Sequence, residues 1–191
     1  MGLAISVGKL AKNDAYREMF DRLAATLAQA GIGGYREPER VPETMRAHCD
    51  SFPYSFLHYL RRCYALLREG KPITVAEDAD DDLVEELSID SSSHLLCHSD
   101  AEGYYVPVDF DEPLFDDEES IGSSQRLLAE LREVGPHIGV KLEADGTLSD
   151  AEAARLAGYD DGPFWREITV WLTLHEACVA SIAHGTAIVF S

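Results

Sequence analysis

Histidines with a carboxylate close by are the residues of this sequence best suited to chemistry. His94 and His98 stand four residues apart, and Asp100 follows shortly after. On a helix the two imidazoles would share one face and could bind one metal ion. The intervening Leu95-Leu96-Cys97 and the turn signals that follow favour a strand instead. A strand rises ~3.3 Å per residue, so the two rings would lie roughly 13 Å apart, too far for one ion to bridge.

A wider set of histidines keeps a catalytic alternative open. His58 lies off the apolar stripe of its helical stretch and is predicted to face solvent. His175 lies on the apolar stripe of the last long helix, which is typical of a core histidine. A metal-dependent or histidine-based hydrolase would need five side chains to converge on one pocket: His58, His94, His98, Asp100 and His175.

Other catalytic and cofactor patterns are missing from the sequence. There is no GxSxG elbow for a nucleophilic serine. The only glycine cluster, Gly31-Ile32-Gly33-Gly34, follows a predicted helix instead of opening one, which is the wrong context for binding a nucleotide. The sequence therefore predicts no catalytic residue, no metal and no cofactor.

The distribution of charge is the strongest feature of the chain. It has 35 Asp and Glu against 16 Lys and Arg, a formal net charge of −19. Between Glu77 and Glu119 we count 17 acidic residues and no Lys or Arg, which leaves 18 acidic against 16 basic residues elsewhere. Such a segment repels nucleic acid and anionic lipid and attracts cationic partners or metal ions.

Aromatic residues interrupt this acidic segment, among them Phe115. Carboxylates steer a cationic partner to the surface, and aromatic side chains supply buried anchors. We therefore expect a basic protein partner, with eight contact residues: His94, His98, Asp100, Glu102, Tyr104, Tyr105, Asp109 and Phe110. The surrounding carboxylates are expected to raise the pKa values of His94 and His98. An acidic surface that responds to calcium is a third hypothesis.

The elements that position these residues follow from periodicity and caps. Apolar residues at helical spacing predict four main helices, and Ser149 with Glu152 predicts the capping box of a fifth. The predicted helices run from about 13 to 30, 54 to 68, 123 to 134 and 163 to 183. The predicted strands are Leu3–Val7, His94–His98, Tyr104–Val108 and Thr186–Phe190, with the middle two joined as a hairpin. The fold class is α+β: several amphipathic helices on a small mixed β-sheet, one domain over residues 1–191, with an acidic hairpin-containing segment at 77–119.

The cysteines and the chain start bear on the compartment. Cys49, Cys63, Cys97 and Cys178 are widely spaced and form no CxxC pair, which indicates reduced thiols. The first residues lack the pattern of a secretory signal, and no apolar stretch approaches the ~20 residues that cross a bilayer. The sequence predicts a cytoplasmic protein that does not enter a membrane.

Three segments carry a resemblance to known proteins: residues 51–62 (SFPYSFLHYLRR), 97–110 (CHSDAEGYYVPVDF) and 184–190 (HGTAIVF). With them the chain resembles a family of uncharacterised bacterial proteins that has no established activity. In general character, small, acidic and cytosolic, it is also similar to immunity proteins that neutralise toxins. The leading hypothesis, which rests on the acidic run, is a binding domain that docks a basic protein as an inhibitor or immunity factor. The resemblance brings no catalytic residues.

Overall fold

A mixed sheet of six strands lies at the centre of the molecule, in the order β2-β1-β6-β3-β5-β4. The computed structural model describes residues 2–42, 51–77, 82–89, 92–116 and 119–191. The strands are β1 Leu3–Val7, β2 Ser51–Phe52, β3 Gly103–Val106, β4 Leu114–Phe115, β5 Ser120–Ser123 and β6 Ile188–Phe190. Neighbouring strands are antiparallel, except for the parallel pair of β3 and β5.

Helices cover both faces of this sheet. Within the described residues they are α1 Lys9–Lys12, α2 Arg17–Gln29, α3 Tyr54–Arg68, α4 Asp82–Ile89, α5 Ser124–Val134, α6 Asp150–Ala157 and α7 Trp165–His184. None of these helices is long and apolar enough to cross a membrane.

Strand alternation divides the apolar side chains into two cores, because successive residues of a strand point to opposite faces. Tyr105 and Phe190 belong to the larger core, together with apolar residues of α3, α5, α6 and α7. Tyr104 and Val189 belong to the smaller core, which includes Phe20, Leu23 and Leu27 of α2. The predicted α+β class, with amphipathic helices packed on a small mixed sheet in one domain, is confirmed.

Serine side chains cap the first turns of α5 and α6, and the cap at Ser149 is the one that the sequence predicted. The hydroxyl of Ser123 accepts a hydrogen bond from the backbone of Arg126 (3.3 Å) at the start of α5. The hydroxyl of Ser149 accepts one from the backbone of Glu152 (3.3 Å) at the start of α6. Each cap satisfies one of the amide groups that the first turn of a helix leaves without a partner.

The predicted hairpin of His94–His98 with Tyr104–Val108 is wrong in its first half. Residues 94–97 form a turn, not a strand. The second half is strand β3, which ends before Pro107 and pairs with β5 and β6. In the described part of the acidic segment a hairpin lies later, where β4 pairs with β5 and Leu114 is opposite Ile121.

Two glycines allow β3 and β5 to lie this close. A Cβ atom on Gly122 would stand 2.5 Å from the ring of Tyr105, which crosses that strand. Gly103 has a φ of +129°, and a Cβ atom there would stand 2.4 Å from the carbonyl oxygen of Ser120. Neither position accepts a side chain without moving the strands that carry the acidic segment.

Three of the four cysteines are described, and those at positions 63 and 178 are buried free thiols. Burial raises the pKa of the Cys63 thiol to about 12. A thiol that stays protonated at neutral pH is a poor nucleophile, because the thiolate is the reactive form. Cys49 lies outside the described residues.

Candidate acidic docking surface

The turn at residues 94–97 is held by a buried arginine of helix α3. The Nε of Arg61 donates to the carbonyl oxygen of Leu95 (2.8 Å), and its Nη2 donates to the carbonyl oxygen of His98. Its Nη1 pairs with one carboxylate oxygen of Asp100. The other oxygen of that carboxylate lies 2.7 Å from Nε2 of His58. Because Arg61 is only 3% exposed, this fork fixes the turn from inside the protein.

A buried carboxylate holds the same turn from helix α5. Glu130 accepts hydrogen bonds from the backbone amides of His94 (3.0 Å) and Leu95 (2.6 Å). Burial raises the pKa of Glu130 to about 7, although the two amides oppose this shift. Arg61 and Glu130 therefore satisfy backbone groups that a strand would have paired in a ladder.

The ring of His94 connects this turn to the acidic segment. The backbone amide of Ser123 donates to Nδ1 (2.9 Å), so that nitrogen carries no proton. The proton lies on Nε2, which faces the carbonyl oxygen of Asp111 at 3.3 Å. Phe110 packs edge-on against the ring, with centroids 5.3 Å apart. His94 is thus a buried support for residues 110 and 111.

His98 is buried as well, stacked on Tyr105 with ring centroids 4.1 Å apart. Burial, together with the nearby charge of Arg61, lowers its pKa to about 4. The pKa of His94 is also lowered, mainly by burial. The predicted rise of both values is therefore wrong, because desolvation of the imidazolium outweighs the attraction of the surrounding carboxylates.

The five side chains of the hydrolase hypothesis do not form one site. His175 lies on α7, stacked on Trp171 at 4.7 Å, with Nδ1 3.2 Å from a carboxylate oxygen of Glu176. Two surface cavities of about 260 and 650 Å³ are lined by none of the five. Among the described residues, no three His, Cys, Asp or Glu side chains form a group that could hold a metal ion.

The prediction for His58 needs a correction. Its side chain is only 26% exposed and lies against Asp100, whereas the helical stripe predicted a ring facing solvent. The apolar face of α3 shows which residues point to the core, and His58 is not on that face. His58 is nevertheless covered, because Arg61 holds the loop around Asp100 against α3.

Beyond this buried layer the acidic segment returns to the surface. Asp109 and Asp111 share one guanidinium, since Nε of Arg126 lies 2.6 Å from Asp109 and Nη2 lies 2.6 Å from Asp111. The two carboxylates remain 58% and 86% exposed. Arg126 therefore sets their spacing without removing them from solvent.

The next residues lead along the edge of the sheet. Glu112 and Asp116 are exposed and flank β4, which is the last strand in the sheet order. Phe115 on this strand is 67% exposed. We refer to the four carboxylates of Asp109, Asp111, Glu112 and Asp116 as the acidic edge.

The eight predicted contact residues separate by burial into two groups. Four are at most 4% exposed and cannot reach a partner in this conformation: His94, His98, Tyr104 and Tyr105. The other four are partly or fully exposed: Asp100, Glu102, Asp109 and Phe110. Asp100 is paired with Arg61 and His58 and is only 35% exposed. Glu102 is exposed, and Asp109 is still 58% exposed beside Arg126, so these two are the members best placed to meet a cation.

Three residues that organise the surface were not predicted from the sequence: Arg61, Arg126 and Glu130. Arg126 could have been suspected, because it is the first basic residue after a run of 17 acidic ones. Arg61 and Glu130 lie in segments whose pattern is that of an ordinary amphipathic helix, so the pattern gives neither residue a special role. Their partners are backbone groups 34 to 37 residues away, which no local pattern reports.

Glu130 gives the folded protein a pH dependence with a defined sign. Because its pKa is raised in the folded state, the folded protein binds this proton more tightly than the unfolded chain does. The resulting stabilisation is present below the usual pKa of a glutamate and is lost as pH rises through about 7. We expect the free energy of unfolding of the wild type, relative to Glu130→Gln, to fall by about 2–3 kcal/mol from pH 5 to pH 8.

Urea denaturation of both proteins at the two pH values measures this difference. Glu143→Gln, which removes an exposed carboxylate outside the core, controls for the loss of one negative charge. A difference between wild type and Glu130→Gln that stays the same at pH 5 and pH 8 would show that Glu130 does not titrate in this range.

The chain matches, over residues 1–190, the model of a family described as "Putative DNA-mimic protein". No curated protein and no solved structure matches it. The chain therefore belongs to this DNA-mimic family. The similarity in character to immunity proteins does not extend to family membership, because the matching family is not an immunity-protein family.

Proposed function

We propose that this member of the DNA-mimic family binds the DNA-binding surface of a basic protein and thereby keeps DNA away from it. The observation that carries the proposal is the acidic edge, a set of exposed carboxylates just before and after the edge strand β4 in a chain of net charge −19. Family membership supports the same reading, since the description of the family names mimicry of DNA.

Even fully extended, residues 109–119 would carry carboxylates at more than half the linear density of phosphates on one DNA strand. Residues 109–119 include seven carboxylates among eleven residues. A fully extended chain spans at most ~3.6 Å per residue, so these charges would be spread over no more than about 40 Å. Duplex DNA carries about one phosphate per 3.4 Å on each strand. Lysines and arginines that track one DNA strand would therefore meet a comparable row of anions here.

Contacts of the acidic edge with Arg126 and His94 support a rigid mimic. Arg126 holds Asp109 and Asp111 together, and His94 bonds to the carbonyl oxygen of Asp111. Fixed carboxylates lose little conformational entropy when a partner binds, which favours affinity. Of the contact residues predicted from the sequence, the proposal keeps Glu102, Asp109 and Phe110 at the surface and gives His94 the role of a support.

Partner class and location follow from the same electrostatics. A surface of this charge repels nucleic acid, so the partner is a basic protein and not DNA itself. We place the protein in the cytoplasm, where DNA-binding proteins of a bacterium are found. No observation favours a hydrolase, since His58 and Asp100 are in contact but His175 is stacked on Trp171 in the core.

Competitive elution tests the proposal. DNA-binding proteins of the native cell are loaded on immobilised duplex DNA at low salt, and the wild-type protein is added. We expect it to release at least one of them, and to do so less well as salt rises, because screening weakens contacts between exposed charges. Polyglutamate of matched total charge is the control. The proposal would be overturned if the wild type released no protein, or if polyglutamate at the same concentration of charge released the same proteins equally well.

A further inference from the structure

Phe115 is the most exposed large apolar side chain among the described residues, at 67%. It pairs across the hairpin with Ser120, which is too small to cover an aromatic ring. Its neighbour Leu114 is half-buried and packs on the smaller core. Because side chains alternate along a strand, Phe115 points to the opposite face from Leu114 and lies outside that core.

The hairpin that presents Phe115 is well supported. Asp116 and Glu119 exchange backbone hydrogen bonds of 2.9 and 3.3 Å at its closing end. The Tyr104 hydroxyl donates to the carboxylate of Glu119 (3.0 Å), and the Thr26 hydroxyl of α2 donates to that of Asp116 (3.3 Å). The ring is therefore offered on a backbone that needs little further ordering when a partner binds.

A single exposed aromatic residue is common on protein surfaces and needs no explanation by itself. Phe115 differs in its surroundings, since exposed carboxylates precede β4 at Asp111 and Glu112 and follow it at Asp116. An aromatic anchor bordered by contacts that exclude water is the usual arrangement of a binding hot spot. The carboxylates on both sides of β4 favour a partner surface whose apolar pocket is bordered by lysine and arginine.

We propose that Phe115 is the apolar anchor of the acidic edge, and that it inserts into an apolar pocket on the DNA-binding protein between the cationic side chains that otherwise hold phosphates. This inference rests on the proposed function and adds a contact that DNA mimicry by charge alone does not require. The carboxylates supply the salt-dependent part of the affinity, and Phe115 supplies a part that salt does not screen.

This division gives the two kinds of variant different signatures. The dissociation constant is measured between 50 and 400 mM salt, with the DNA-binding protein that the wild type elutes from duplex DNA as the probe. Phe115→Ala is expected to weaken binding about 30-fold at every salt concentration, the effect of losing an aromatic hot spot. The slope of log affinity against log salt should stay that of the wild type. Phe115→Trp should recover most of the affinity.

Val75→Ala is the matched control, because Val75 is 57% exposed but lies outside the acidic edge. Circular dichroism and urea denaturation establish that each variant keeps the fold. A Phe115→Ala protein that binds within about threefold of Val75→Ala overturns the anchor. If the affinity of the wild type still falls steeply with salt in that case, the proposed function stands without the Phe115 anchor. A wild type whose affinity does not change with salt overturns the electrostatic proposal itself.

Discussion

Replacing Arg61 by alanine is expected to lower the free energy of unfolding by about 3–5 kcal/mol, the range for breaking a buried ion pair by removing one partner. The change leaves the carbonyl oxygens of Leu95 and His98 without the donors they have now, and it removes the buried cation that faces Asp100. A domain of this size is stable by about 5–15 kcal/mol, so the loss is a large fraction of the total. Urea denaturation monitored by circular dichroism measures it.

The neighbouring arginine provides the control. Arg62 is on the same helix and donates to the carbonyl oxygen of Thr74 (2.9 Å) at the surface. Arg62→Ala is expected to cost no more than about 1 kcal/mol, as exposed polar pairs do. Arg61→Lys should recover only part of the loss, because an ammonium group cannot reproduce the planar fork. Equal costs for Arg61→Ala and Arg62→Ala would contradict the role given to Arg61.

Neutralising the acidic edge is expected to weaken binding of the DNA-binding partner by roughly 100- to 1,000-fold at low salt. The variant carries Asp109→Asn, Asp111→Asn, Glu112→Gln and Asp116→Asn. A carboxylate about 4 Å from a cation in water contributes about 1 kcal/mol, so four contacts sum to about 4 kcal/mol when all are made. The slope of log affinity against log salt should also be shallower for this variant than for the wild type. Isothermal titration calorimetry at several salt concentrations measures both quantities.

An equal loss of charge elsewhere in the acidic segment controls for long-range attraction. The control variant carries Glu77→Gln, Asp82→Asn, Glu85→Gln and Glu86→Gln, of which the last three lie on α4 and all four are exposed. It is expected to slow association a few-fold, because net charge steers encounter, and to leave dissociation unchanged. If both quadruple variants lose affinity equally, the partner responds to total charge and the acidic edge is not its docking surface.

Local sequence signals predicted several helices and one strand of the fold. The periodicity of residues 54–68 predicted α3 at its observed bounds, and Leu3–Val7 is strand β1 as expected. The predicted range 123–134 and the capping box at Ser149 located the starts of α5 and α6 to within a residue. These elements depend on interactions within a few residues, so the pattern of apolar, capping and breaking residues is enough to find them.

The centre of the sheet depended on contacts that are distant in sequence. Strand β5 has the sequence Ser-Ile-Gly-Ser, which has little strand propensity, and it exists because Gly122 leaves space for the ring of Tyr105. His94–His98 has the apolar pattern of a strand but forms a turn, because Arg61 and Glu130 satisfy its backbone from two helices. A pattern along the chain cannot report either partner.

The candidate surface was predicted by charge and corrected by burial. The acidic run and its aromatic residues indicated a candidate segment, but they did not show which of its side chains face solvent. His94, His98 and Tyr105 proved to be core residues that support the surface. In the sequence, Phe115 is one of several aromatic residues of the acidic segment. In the structure its side chain is 67% exposed.

The most direct measurement is exchange between this protein and DNA on one partner. A complex of fluorescent duplex DNA with the DNA-binding protein that the wild type elutes is titrated with the wild type and followed by anisotropy and by native gel. Mimicry predicts that DNA leaves as this protein binds, that the apparent affinity weakens in proportion to the DNA concentration, and that no species contains all three components. A stable ternary complex, with DNA retained at saturating protein, would contradict it.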